Sequence, residues 1–148
     1  MQRVEGSTRL AASPDEVFAY VSDLESLAEW QGGVTAAHRT SDGPMRTGAT
    51  AEVTRQMMNQ RIVAPLLVTE YDPPRRLAIA SKVSGVEADA TLDLTPADDG
   101  AATDLAFAME IRGLGLTAFM EPMIAGAARG DIEASLDRLR ARFAGAGG

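Results

Sequence analysis

The feature that most constrains the fold is a change of hydrophobic period between Ile111 and Leu116. Before this change, residues 86–95 and 103–111 alternate apolar and polar side chains. After it, apolar residues recur at helical spacing up to Phe143. A period of two is typical of a strand with one buried face, and a period of 3.6 is typical of an amphipathic helix. The sequence therefore predicts an antiparallel sheet whose apolar face is covered by one long C-terminal helix.

The N-terminal part of the chain extends this pattern. Period-two alternation predicts a first strand at residues 2–10, and further strands are expected at 34–39, 49–58, 61–71 and 77–83. After the first strand, Ser13-Pro14-Asp15-Glu16 predicts a helix start, with Ser13 as the N-cap and Pro14 in the first turn. A second short helix is expected to begin near Asp23 and to end at Gly32-Gly33.

The fold class is therefore α+β, with a curved antiparallel sheet of six to seven strands. One helix cannot fill the concave side of such a sheet, so an internal cavity is expected.

Length and composition narrow the class of protein. The 148 residues predict a single domain over residues 1–144, with 145–148 as a frayed tail. The absence of cysteine excludes disulfides and thiolate zinc sites, and it favours a cytoplasmic protein. A formal charge of −7 argues against nucleic acid as a partner. No apolar run is long enough for a membrane span, and the N-terminus does not resemble a signal peptide. The Arg-, Ala- and Gly-rich composition is typical of a GC-rich bacterium.

Three segments carry a resemblance to a known family. They are residues 12–18 with Asp23 and Trp30 after them, Gly43-Pro44 with Gly48, and residues 68–77, which read Val-Thr-Glu-Tyr-Asp-Pro-Pro-Arg-Arg-Leu. In this order they resemble the START-like, pollen-allergen-like helix-grip superfamily (SRPBCC), in its polyketide cyclase/dehydrase group. The resemblance implies the helix-grip fold and a pocket between the sheet and the long helix. Because the superfamily includes lipid carriers, hormone receptors and cyclases, the resemblance leaves the activity open.

Four polar residues are candidates for an inward-facing site: His38, Arg55, Glu70 and Tyr71. Arg55 interrupts the apolar phase of its strand, and a guanidinium inside a cavity needs an anionic partner, for which Glu70 is a candidate. Three of them have a structural alternative: an exposed histidine near a strand end, an arginine turned to solvent by a β-bulge, and a tyrosine that packs before the Pro-Pro turn. A single histidine makes a metal site improbable, and no cofactor is expected.

The predicted inward faces are rich in methionine and aromatic residues. Methionine is flexible and suits pockets for apolar ligands, although it also fills ordinary cores. The acidic residues of the C-terminal helix are interpreted as solvent-facing and without a site role. The candidate ligand-binding residues are Trp30, Val53, Met57, Phe107, Met109, Met120, Met123, Ile124 and Ala127.

Two functions follow from these features. The first is binding of a hydrophobic or amphipathic small molecule in the cavity. The second is a cofactor-independent enzyme of the polyketide cyclase/dehydratase type, which shapes a reactive substrate and assists enolisation or loss of water. The scarcity of inward polar groups favours binding. A homodimer that covers a sheet edge is a third option, without specific support in the sequence.

Overall fold

The computed structural model describes residues 2–57, 59–83 and 85–144, and the side chains of residues 57 and 116 fall outside this description. The predicted frayed tail, residues 145–148, also lies outside it. In the described part of the chain, seven strands form one antiparallel sheet in the order β1-β7-β6-β5-β4-β3-β2. The strands are β1 (Gln2–Leu10), β2 (Val34–Arg39), β3 (Thr50–Met57), β4 (Gln60–Asp72), β5 (Arg76–Val83), β6 (Val86–Ala97) and β7 (Ala102–Gly113).

The helices lie in two groups, one after β1 and one after β7. The first comprises α1 (Pro14–Val21), a 3₁₀ helix (Leu24–Ser26) and α2 (Leu27–Trp30). The second comprises a 3₁₀ helix (Gly115–Met120) and the long helix α3 (Glu121–Arg142). The predicted cap of α1 is confirmed, since the Ser13 side chain accepts a hydrogen bond from the Glu16 backbone N–H at 3.3 Å. The predicted α+β class, the sheet and its long C-terminal helix are also confirmed.

The long helix packs against one side of the sheet. It contacts β1 and β7, which are neighbours at one edge of the sheet, and it also contacts α2. Close approach to β1 requires a glycine, because a Cβ on Gly6 would lie 2.8 Å from Leu136 Cδ1 and 2.9 Å from Ile132 Cγ2. The concave face of the sheet therefore continues past α3 along β6, β5, β4 and β3. No helix of the described residues is long and apolar enough to span a membrane.

Two strands contain a β-bulge. In β2 the register shifts between Val34 and Ala36, so that Thr35 is an extra residue. In β4 it shifts between Val68 and Glu70, so that Thr69 is extra. An extra residue reverses which side chains point into the concave face from that point onward.

Candidate functional site

A cavity of about 410 Å³ lies between the sheet and α3. This volume falls in the range of small-molecule sites. The apolar walls come from the four strands β4 to β7, the second 3₁₀ helix and the first half of α3. They are Ile62, Ala64, Val83, Val86, Ala88, Met109, Ile111, Met120, Ile124, Ala127 and Ala128. A smaller space of about 40 Å³ continues inward between Trp30, Phe107 and the strands.

The cavity has a polar side, where Arg55 of β3 and Asp131 of α3 both contribute to its lining. Arg55 points inward with Ala51 and Val53, as its place in the apolar phase predicts. Among the residues that the structure describes, neither the Arg55 nor the Asp131 side chain has a hydrogen bond or a direct ion pair. Two opposite charges therefore share one cavity without contact.

Burial sets the electrostatics of this pair. Desolvation lowers the pKa of the Arg55 guanidinium, and attraction to Asp131 offsets part of this effect. Desolvation likewise raises the pKa of the Asp131 carboxyl, against attraction from Arg55 and Arg138. Both charged forms are therefore less stable here than in water. A ligand group that accepts a hydrogen bond from one and donates to the other would relieve both.

A glycine turn brings Asp131 to this position. The Gly32 N–H donates to Ser135 Oγ at 2.8 Å, and a Cβ on Gly32 would lie 2.6 Å from the Asp131 carbonyl oxygen. At Gly33, which has a φ of +86°, a Cβ would lie 2.9 Å from Asp131 Oδ2. The Gly33 carbonyl in turn accepts a hydrogen bond from the Gln56 N–H, one residue from Arg55 on β3. Only glycines allow the helix, the turn and β3 to meet this closely.

The structure corrects two of the polar candidates. His38 is exposed, and its Nε2 lies 3.4 Å from Glu52 Oε1, because the bulge at Thr35 turns it outward. The pairing of Arg55 with Glu70 is wrong. Glu70 is exposed and lies 2.9 Å from Arg76 Nε, because the bulge at Thr69 turns it outward as well. Neither residue lines the cavity.

Tyr71 is partly buried and packs against the core, in agreement with its structural alternative. Its ring centroid lies 5.5 Å from that of Phe18, and it does not line the cavity. Val53 is also a buried core residue outside the lining. Met123, which was placed on the inward face, has 60% of its surface exposed. The side chain of Met57 lies outside the described residues.

The other predicted ligand-binding residues do reach the cavity system. Met109, Met120, Ile124 and Ala127 line the main cavity, and Trp30 and Phe107 line its inner extension. Trp30 is fixed there by a hydrogen bond from its Nε1 to Ser26 Oγ at 3.1 Å.

The main residue that the sequence interpretation missed is Asp131, which was assigned to the solvent-facing side of α3. A signal was available, since Asp131 follows Ile124 and Ala128 at spacings of seven and three residues and so lies on the same helical face. Ser81 and Thr117 are further lining residues that were not singled out. No group of acidic or histidine residues in the described ranges is arranged to hold a metal ion.

The sequence of residues 1–144 matches the family described as "Polyketide cyclase / dehydrase and lipid transport". The chain belongs to this family. An uncharacterized protein of Mycobacterium tuberculosis (strain H37Rv) is 30% identical over 139 residues, which cover 92% of this chain and 94% of that protein.

Solved structures share the fold. A START superfamily protein from Mycobacterium smegmatis superposes with a TM-score of 0.80 at 14% identity, covering 96% of this chain and 97% of that one. The di-domain ARO/CYC protein BexL from the BE-7585A biosynthetic pathway has a TM-score of 0.61 at 15% identity, covering 90% of this chain and 47% of that one. At these identities the likeness establishes the START-like helix-grip fold alone.

Proposed function

We propose that this protein binds an amphipathic small molecule in the cavity between the sheet and α3. The observation that carries the proposal is a cavity of about 410 Å³ with mostly apolar walls that is also lined by two opposite charges, Arg55 and Asp131, which have no direct contact among the described residues. Apolar walls provide affinity through burial of hydrocarbon, and a few polar groups fix orientation. In a ligand that fits, the apolar body lies along Met109, Met120 and Ile124, and a polar group lies between the two charges.

Saturable binding of the neutral dye Nile red tests this proposal. Ala88 lines the cavity on β6, whereas Ala106 on the neighbouring strand β7 is exposed on the other face. We expect Ala88→Leu to weaken binding because its larger side chain takes up part of the cavity, and Ala106→Leu to leave binding unchanged. Equal dye affinity in folded Ala88→Leu protein and wild type would reject the cavity as the binding site. Native mass spectrometry of freshly purified protein would identify a retained ligand.

An enzyme of the cyclase/dehydratase type is the second candidate, favoured by the raised pKa of Asp131 inside an apolar cavity. A carboxylate held in this way is a stronger general base than one in water. In the proposed step, Asp131 accepts a proton from the carbon next to a bound carbonyl, and Arg55 donates a hydrogen bond to the carbonyl oxygen as it gains negative charge. The product is an enol or enolate, from which ring closure or loss of water proceeds.

Proton exchange separates the two candidates. If the protein is an enzyme of this type, it accelerates the incorporation of deuterium from D₂O at the carbon next to the carbonyl of a methyl ketone. The Asp131→Asn variant would then lack this acceleration. A binding protein without chemistry would leave the exchange rate at its value in buffer. NMR of the ketone measures this rate directly.

A further inference from the structure

We propose that the charge pair selects the polar end of the ligand: the cavity prefers a neutral group that both accepts and donates a hydrogen bond, such as a hydroxyl or enol, over a carboxylate. This inference rests on the proposed binding function and specifies the chemical class of its ligand. It depends on Asp131 of α3 and Arg55 of β3 lining the same cavity.

The charge of the lining determines the preference. In the described lining, Arg55 and Asp131 are the ionisable residues, so the cavity carries one positive and one negative group. Arg138 is the other charge that acts on Asp131, but its Nη1 donates to the Gln31 carbonyl at 3.3 Å and it does not line the cavity. A ligand carboxylate that reached Arg55 would therefore place a second negative charge near Asp131 in a poorly hydrated space. Repulsion between the two negative charges would weaken the binding of such a carboxylate ligand.

A hydroxyl or enol meets both groups without this penalty. Its oxygen accepts a hydrogen bond from the Arg55 guanidinium, and its hydrogen is donated to the Asp131 carboxylate. The two side chains attract each other electrostatically but have no direct hydrogen bond or ion pair within the described structure, so a small group between them breaks no direct contact. Asp131 thus acts as a specificity residue that opposes anions, and Arg55 acts as the donor that holds the oxygen.

Decanol and decanoate test the proposal, since they share one hydrocarbon chain and differ in the charge of the polar end. Each is titrated at neutral pH to displace Nile red from wild type, from Asp131→Asn and from Glu133→Gln. Glu133 is an exposed acid on the same helix, so its variant controls for the change in net charge. We expect wild type and Glu133→Gln to prefer decanol by about tenfold or more, the ratio that corresponds to a modest electrostatic penalty. Asp131→Asn should shift the preference toward decanoate by a similar factor.

Two results would overturn this inference while leaving the binding function intact: decanoate binding to wild type as tightly as decanol, or an Asp131→Asn variant with the wild-type preference. Failure of both compounds to displace the dye, or the lack of saturable dye binding, would instead reject the proposed function itself. A wild-type protein that binds decanoate as tightly as decanol overturns the inference without any variant. A preference for decanol supports the inference only when Asp131→Asn reduces it, because a carboxylate also costs more to desolvate than an alcohol.

Discussion

The two halves of α3 present opposite environments to the sheet. In the C-terminal half, Leu136 and Leu139 are at most 5% exposed, and Leu136 packs directly over Gly6 of β1. In the N-terminal half, Ile124, Ala127 and Ala128 line the cavity. One half is thus closely packed, and the other borders open space.

This difference separates stability from binding along a single helix. Packed apolar side chains contribute stability through burial and dispersion, which a cavity wall supplies less fully. Arg55 and Asp131 add a cost, because burial disfavours the charged form of each. We therefore expect substitutions in the packed half to change the free energy of unfolding, and substitutions at the cavity to change ligand affinity.

The largest effect is expected for Leu136→Ala. Removing a buried leucine side chain leaves a void, and such changes cost about 2–5 kcal/mol. Met123→Ala on the same helix is the control, since Met123 is 60% exposed and its loss should change stability little. Chemical denaturation measures both. Equal midpoints for the two variants would contradict the packed character of the C-terminal half.

A smaller loss is expected for Gly6→Ala. The added methyl group would overlap the Leu136 and Ile132 side chains, with Cβ distances of 2.8 and 2.9 Å. Overpacking of this kind costs about 1–3 kcal/mol. Thermal or chemical unfolding checks the prediction, and a Gly6→Ala protein at least as stable as wild type would show that the helix does not press against β1.

Gly130→Ala should have the opposite sign. The position is exposed within α3 and has open space around it, so alanine adds helix propensity without a clash. The expected gain is about 0.5–1 kcal/mol. The same denaturation experiment applies, and destabilisation would indicate a contact that the glycine protects.

The smallest change is expected for Asp131→Asn, and it depends on pH. The pKa of Asp131 is raised in the folded protein. The folded state therefore loses stability relative to the unfolded chain as the pH rises from the ordinary pKa of a carboxyl group to the raised pKa of Asp131. Asparagine resembles the protonated form, so the variant should be more stable than wild type at neutral pH. The difference should vanish in acid, where Asp131 is protonated in both folded and unfolded states. Unfolding curves over pH measure it, and a less stable variant at neutral pH would contradict the direction of the shift.

Alternation and helical spacing were sufficient to predict the fold. The pairing of β5, β6 and β7 contains no β-bulge, so every second side chain of these strands faces the same side of the sheet. Met109 and Ile124 line the cavity as predicted. Arg55 was identifiable from the sequence because it is a charged residue at a position where the alternation of a regular strand predicts an inward-facing apolar residue.

Two of the errors arose where a strand departed from regular alternation. His38 and Glu70 each follow a β-bulge, at Thr35 and Thr69, and one extra residue reverses the face of every side chain beyond it. Composition alone does not locate such a bulge. Asp131 was missed for a different reason, because the acidic residues of α3 were interpreted together as solvent-facing although Asp131 shares the helical face of Ile124 and Ala128.

The central claim is that ligands enter the space beside the N-terminal half of α3, and methyl NMR tests it most directly. Decanol is titrated into protein with labelled Ile, Leu, Val and Met methyl groups. We predict large shifts for Met109, Met120 and Ile124, which line the cavity, and little change for Leu139, which is fully buried in the packed half. Shifts confined to Val63 and its exposed neighbours on the outer face of the sheet would contradict the claim.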